Sequence, residues 1–172
     1  MQNLQYPIGK FSAPTEFSRE LIDSYIAIIK SFPEKITAAT KNLSAQQLNT
    51  PYRPEGWTVM QVVNHCADSH MNSIIRLKLA LTEEKPTVKG YNESEWAKLA
   101  DSTNFPIDAS LKIIEGVHAR WITILNSMSD ADFHKSFIHP VSGKEISLFV
   151  NTALYAWHCE HHLAHIGIVA NA

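Results

Sequence analysis

The chain has 172 residues, of which 45% are apolar, 19% charged and 9% aromatic, and at this size roughly 70% of the unfolded surface can be buried without a disulfide or structural metal. Fifteen Lys and Arg against seventeen Asp and Glu leave a formal charge of −2, too balanced for a phosphate-binding surface, so a nucleic-acid partner is not expected. Cys66 and Cys159 cannot form a disulfide framework and no secretory leader opens the chain, which points to a reducing cytoplasm. The longest uncharged stretch, Ile146 to Cys159, falls short of the roughly 20 residues a bilayer requires. It contains Asn151, Thr152 and His158 and reads as a buried helix, so no membrane span is expected.

Gly is scarce and apolar residues recur mostly at three- and four-residue intervals, which predicts helices. The first is expected from about Thr15 to Lys41, with Phe17, Leu21, Tyr25, Ile28 and Phe32 along one stripe. Pro33 should kink or divide it, because the proline ring clashes with the preceding turn. Ser44 and Gln47 have capping-box spacing and predict a short helical turn. The turn-rich segment Asn49 to Gly56 is a loop. Thr58 with Gln61 repeats the capping spacing, and Val59, Val62, Val63, Cys66, Ile74, Leu77 and Leu81 place a second long helix at about Trp57 to Thr82. A short helix is expected around Glu93 to Leu99. Asp108 is the expected N-cap of a third long helix, carrying Leu111, Ile114, Val117, Trp121, Ile124, Leu125 and Met128 and ending near Ser127. Phe133 to Ile146, with Pro140 and Gly143, reads as an irregular excursion or small hairpin, and a last helix as running from about Ser147 to Ala170. The fold class is therefore all-α: one four-helix-bundle domain with additional short helices and a small irregular or hairpin segment before the last helix. The long segments between helices leave room for crossovers in place of a plain up-and-down order.

Nine histidines are present, four of them between His158 and His165. On the last helix His158 and His162 lie one turn apart and can aim their imidazoles at one point; His161 and His165 form an equally spaced pair. Spacing does not choose between the two pairs. A two-histidine pair needs a third ligand from elsewhere, and His65, beside the buried-looking Val62, Val63 and Cys66, is the best donor. Three neutral imidazoles suit zinc, nickel or a similar ion, and leave a position open for water or substrate. His70, His118, His134 and His139 read as surface residues or as supports behind the ligands. Asp68, one turn from His65, is equally readable as a support that orients His65 or as a surface residue.

Other metal-site patterns fail on particular residues. His158 is followed by Cys159 and Glu160, so there is no HExxH. Only Glu115 to His118 has the Glu-x-x-His spacing, of which a di-iron bundle needs two.

Gly56 to His65, Ala67 to Ser73 and Tyr155 to Ile166 together resemble the DinB-like superfamily, most closely its YfiT and bacillithiol-transferase branch. Tyr6-Pro7-Ile8-Gly9, Thr50-Pro51-Tyr52-Arg53 and Leu81-Thr82-Glu83-Glu84 support the resemblance. It implies a four-helix bundle with a single metal site, commonly in a homodimer. The family's first histidine falls on His65 and its HxxxH pair on His158 and His162, leaving His161 and His165 as neighbours. The resemblance further implies either a metal-dependent hydrolase or a transferase that joins a low-molecular-weight thiol, bacillithiol, to a small-molecule electrophile. No general base for hydrolysis is identifiable from the sequence. A non-catalytic bundle that binds a metal or ligand is the alternative, and a bundle whose histidines are incidental is a third reading.

Overall fold

The computed structural model describes residues 4–172. Four long helices dominate it: α1 (Arg19–Thr40), α3 (Val59–Thr82), α6 (Asp108–Ser127) and α8 (Leu148–Ala170). Between them lie the short helices α2 (Ala45–Leu48), α4 (Glu93–Trp96), α5 (Ala100–Thr103) and α7 (Asp130–His134), and a hairpin of β1 (Ser136–Ile138) and β2 (Glu145–Ser147). No helix among the described residues is long and apolar enough to cross a membrane.

Side-chain caps account for most of the helix starts. Thr58 caps α3 through a complete capping box with Gln61, Ser44 does the same for α2 with Gln47, and the Ser147 side chain accepts from the Val150 amide at the start of α8. Three expectations need correction. Helix α1 begins at Arg19, because the Ser18 side chain caps the Leu21 amide. Asp108 is the first residue of α6 and not its cap, and Ile107 at the cap makes no side-chain hydrogen bond. The short helix expected around Glu93 to Leu99 is the single turn α4, which ends at Trp96, and a second single turn, α5, follows it from Ala100.

Pro33 does not divide α1, which continues to Thr40. An interior proline costs about 3 kcal/mol, but Ile29, Phe32 and Ile36 on either side of it are fully buried, and this packing holds the helix through the break. The buried stripe of α1 is Ile22, Ile26, Ile29, Phe32 and Ile36; it shares Phe32 with the expected stripe, but Leu21, Tyr25 and Ile28 each lie one residue before a buried isoleucine. Tyr25 and Ile28 flank the core half-buried, whereas Leu21 is 40% exposed.

The order of the helices in space follows from their contacts. Helix α1 packs against α8 and α6, and α3 packs against α6 and α8, so α1 faces α3 across the core and α6 faces α8. Lys35 reaches Glu160 and Tyr25 meets Phe149, so α1 and α8 run parallel. Ser69 meets Tyr155 and Ser73 meets Asn151, so α3 and α8 are antiparallel. Asn64 meets Ser110 and His70 meets His118, which makes α3 and α6 parallel neighbours. Their connection must return along the bundle, and residues 83–107, carrying α4 and α5, provide that crossover. Gln61 and Asn64 near the start of α3 tie the segment down by donating to the carbonyls of Ala97 and Asp101.

The expected irregular or hairpin segment is the β1–β2 pair, antiparallel with Phe137 opposite Ile146. Gly143, at φ +64°, supplies the left-handed turn between the strands. Fully buried Phe137 packs this hairpin into the core.

Candidate metal centre

Helices α3 and α8 meet along a seam of polar side chains, and their imidazoles converge at one end of it. His65 reaches across from α3 so that its Nε2 lies 3.1 Å from His158 Nε2. His162 completes the group, with ring centroids 4.9 Å from His65 and 4.4 Å from His158. One ring nitrogen from each of the three lies within 4.8 Å of the others. Two ring nitrogens 3.1 Å apart share either a proton or a cation. Tetrahedral ligands 2.0–2.1 Å from a zinc ion stand about 3.3 Å from one another, so the observed separation fits a shared ion.

The electrostatics also suit a cation. Burial, reinforced by neighbouring imidazoles, pushes His158 and His162 well below the ordinary histidine range and His65 down to about 4. All three rings are therefore neutral near pH 7, with lone pairs available. The cysteines contribute nothing comparable. Burial raises both thiols, and a protonated thiol is not a ligand.

In a second group, His161, His162 and His165, one ring nitrogen of each likewise lies within 4.8 Å of the others, and His162 is common to both groups. His165 stacks on Tyr52 with ring centroids 3.8 Å apart, and His161 stacks on Trp157 at 4.3 Å. Asp68 does not orient His65: among the described residues no hydrogen bond joins them, and burial with nearby Asp101 raises the Asp68 carboxyl to about 6. His134 lies exposed against Phe17, and His139 is half-buried at the hairpin turn.

Sequence reasoning underrated His70 and His118. His70 is fully buried and His118 is 2% exposed. His70 Nε2 lies 3.1 Å from His158 Nδ1, and His70 Nδ1 lies 2.7 Å from His118 Nε2. The Glu115 to His118 spacing, the nearest approach to a di-iron motif, drew attention to His118 for a different reason. Its real partner could not be found without knowing that α6 lies beside α3.

These buried neutral histidines set a pH dependence. Burial lowers His118 to about 4 against an ordinary 6.5. Below pH 6.5 the unfolded chain takes up protons that the folded chain refuses, so stability is complete above about 6.5 and is lost as the pH falls towards 4. For His118 alone the loss is about 1.4 kcal/mol per pH unit inside that window. The metal-free protein should show a urea midpoint that falls steadily from pH 6.5 to 4.5, and a flat midpoint would contradict the neutral assignment.

The histidines open onto a cavity of about 780 Å³. Tyr52, Tyr91, Tyr155 and Trp157 contribute to its walls with Arg53, Arg76, Glu55 and Glu93, so it combines aromatic surface with charges of both signs. This is the volume range of small-molecule sites.

A family model described as the DinB superfamily matches residues 29–166. The chain belongs to the DinB superfamily. Its sequence is 51% identical over 166 residues to a protein from Bacillus cereus (strain ATCC 10987) named "putative metal-dependent hydrolase", covering 96% of this chain and 95% of that one. A Geobacillus thermodenitrificans protein of the same name is 48% identical over 163 residues, covering 95% and 92% of the two chains. Among solved structures, YfiT from Bacillus subtilis superposes with a TM-score of 0.96 at 42% identity, covering 98% of this chain and 97% of the other. That protein is described as a "probable metal-dependent hydrolase with an unusual four-helix bundle topology". The diagonal pairs and the parallel α3 and α6 described above give this DinB-superfamily chain a bundle of the same topology.

Proposed function

We propose that this chain is a metal-dependent enzyme in which His65, His158 and His162 hold one divalent ion, zinc or nickel, beside a cavity that takes a small electrophilic molecule. The observation that carries the reading is the convergence of three neutral imidazoles, from two helices, on the wall of that cavity. The metal-dependent hydrolase names of its close relatives support it. A bound ion supplies Lewis acidity, which favours the deprotonated form of a nucleophile, water or a low-molecular-weight thiol.

The protein's own residues bind and shield. Tyr155, buried beneath the cavity, donates its hydroxyl to the Ser69 carbonyl 3.1 Å away and holds α3 against α8. Trp57 packs on His65 with ring centroids 4.7 Å apart and limits the freedom of that ring. Arg53 and Arg76 line the cavity together with the carboxylates of Glu55 and Glu93, and either guanidinium can pair with an anionic group on a substrate or thiol. In this reading the enzyme works in the cytoplasm as a homodimer, which light scattering of the purified chain checks.

Two parallel assays with zinc- and nickel-loaded protein test the reaction. One supplies a low-molecular-weight thiol with a model electrophile, and the other supplies esters and amides without thiol. Metal-dependent thiol consumption is the outcome expected of a transferase, and turnover without thiol is that expected of a hydrolase. No acceleration in either would overturn the enzymatic reading in favour of a binding module.

A further inference from the structure

Behind the three proposed ligands lie more histidines, and their contacts form a continuous line. His158 Nδ1 meets His70 Nε2 at 3.1 Å, His70 Nδ1 meets His118 Nε2 at 2.7 Å, and His118 Nδ1 meets the Ile29 carbonyl oxygen at 2.7 Å. The last atom is a pure acceptor. Each of the three contacts needs one hydrogen, and three neutral rings carry one N–H each. Only one arrangement satisfies all of them. His118 donates from Nδ1 to Ile29, His70 donates from Nδ1 to His118, and His158 donates from Nδ1 to His70. The His158 proton is then on the far side of the ring, and Nε2, the atom beside His65, carries the lone pair.

Ile29 is available for this role because of Pro33. In an uninterrupted helix the Ile29 carbonyl would accept from the amide four residues later, but residue 33 is a proline and has no N–H. The imidazole of His118 takes the place of the missing donor. Phe32, one residue before the proline, stacks on His118 with centroids 5.4 Å apart and lies 5.1 Å from His70, while Trp121 closes the other side. His70 and His118 are cut off from bulk solvent in this box, so their ring nitrogens need partners within it, and the contacts above supply them.

We propose that His70 and His118 are positioning residues: anchored on the Ile29 carbonyl that Pro33 releases, they lock His158 as its Nδ1–H tautomer and present its Nε2 lone pair to the metal. A shorter line serves His162. Its Nδ1 lies 3.3 Å from His165 Nδ1, and His165 Nε2 lies 3.3 Å from the Gln5 carbonyl oxygen. The same count makes His165 a donor to Gln5 and an acceptor from His162 Nδ1–H, which leaves His162 Nε2 for the ion. Metal-binding histidines ordinarily donate their second N–H directly to a carboxylate or carbonyl. Here the carbonyl acts at a distance, through one imidazole for His162 and through two for His158.

This inference rests on the proposed ligand set, and the experiment separates the two. Long-range proton–nitrogen spectra of the metal-free, histidine-labelled chain report tautomers directly. His158, His70 and His118 should each show a protonated Nδ1 and a bare Nε2, and an Nε2–H form of His158 would overturn the relay. Zinc affinity, measured by chelator competition, supplies the second readout. His118→Leu removes the acceptor for His70 and should raise the zinc Kd by 10- to 100-fold. His118→Gln, whose amide can donate to Ile29 and accept from His70, should restore affinity to within a few-fold of wild type. If His158→Ala abolishes binding and folded His118→Leu does not weaken it, the relay is wrong and the ligand set stands. If both variants bind zinc like wild type, the ligand set itself has failed. Should His118→Leu not fold, the wild-type tautomers still decide.

Discussion

The double variant His158→Ala, His162→Ala should lose tight metal binding altogether, with a fall of at least about a thousandfold in affinity, because one imidazole cannot hold an ion that needs three protein ligands. Both side chains leave α8 from the same face one turn apart, and His65 alone remains on α3. Metal-dependent turnover should vanish with the ion. The fold should survive: alanine favours helix, and the substitutions leave untouched the contacts of Tyr25 with Phe149 and Lys35 with Glu160 that join α1 to α8. Metal content by mass spectrometry, with circular dichroism as the control for folding, reads the result. A folded double variant with wild-type metal content would remove the ligand set from consideration.

The second large effect concerns the box around the relay. Trp121 is fully buried and its ring meets those of His70, His118 and Tyr155 at 5.9, 5.6 and 5.3 Å between centroids. Trp121→Ala should cost about 3–5 kcal/mol, the transfer free energy of the indole together with the cavity left behind. For a chain of this length that is a fall in Tm of about 10 °C or more. Trp121→Phe should cost much less. The indole Nε1 has no hydrogen-bond partner among the described residues, so replacing the indole by a phenyl ring sacrifices no hydrogen bond and removes a buried polar group. Thermal melts of the two variants side by side check the contrast, and equal losses would mean that the indole nitrogen makes a contact worth keeping.

Much of this architecture was legible in the residues. Thr58 with Gln61 and Ser44 with Gln47 marked helix starts because a capping box is a local device that needs no tertiary context. The i, i+4 spacing of His158 and His162 marked a convergent pair for the same reason. Choosing that pair over His161 and His165 required the family resemblance, since both are equally spaced, and the structure brings His65 to the first pair. Helix α7 went unpredicted although Ser129 and Asp132 form a capping box; its five residues are too few for a hydrophobic period to show. Pro33 was legible as a break, but its local cost is opposed by the burial of Ile29, Phe32 and Ile36; the sequence stripe included Phe32 but took Leu21, Tyr25 and Ile28 in place of Ile22, Ile26 and Ile29. The partnership of His70 with His118 could not be read at all. It depends on α3 and α6 being parallel neighbours, a consequence of the crossover at residues 83–107, and nothing local in either helix announces it.

The most direct test of the account is anomalous diffraction at the zinc absorption edge from crystals of the zinc-loaded protein. The predicted result is a single peak per chain at about 2.0–2.1 Å from one ring nitrogen each of His65, His158 and His162, with His70 and His165 hydrogen-bonded to the far nitrogens of the two α8 ligands. A peak held by His161 and His165 with His65 uninvolved, or no peak at the three histidines, would contradict it.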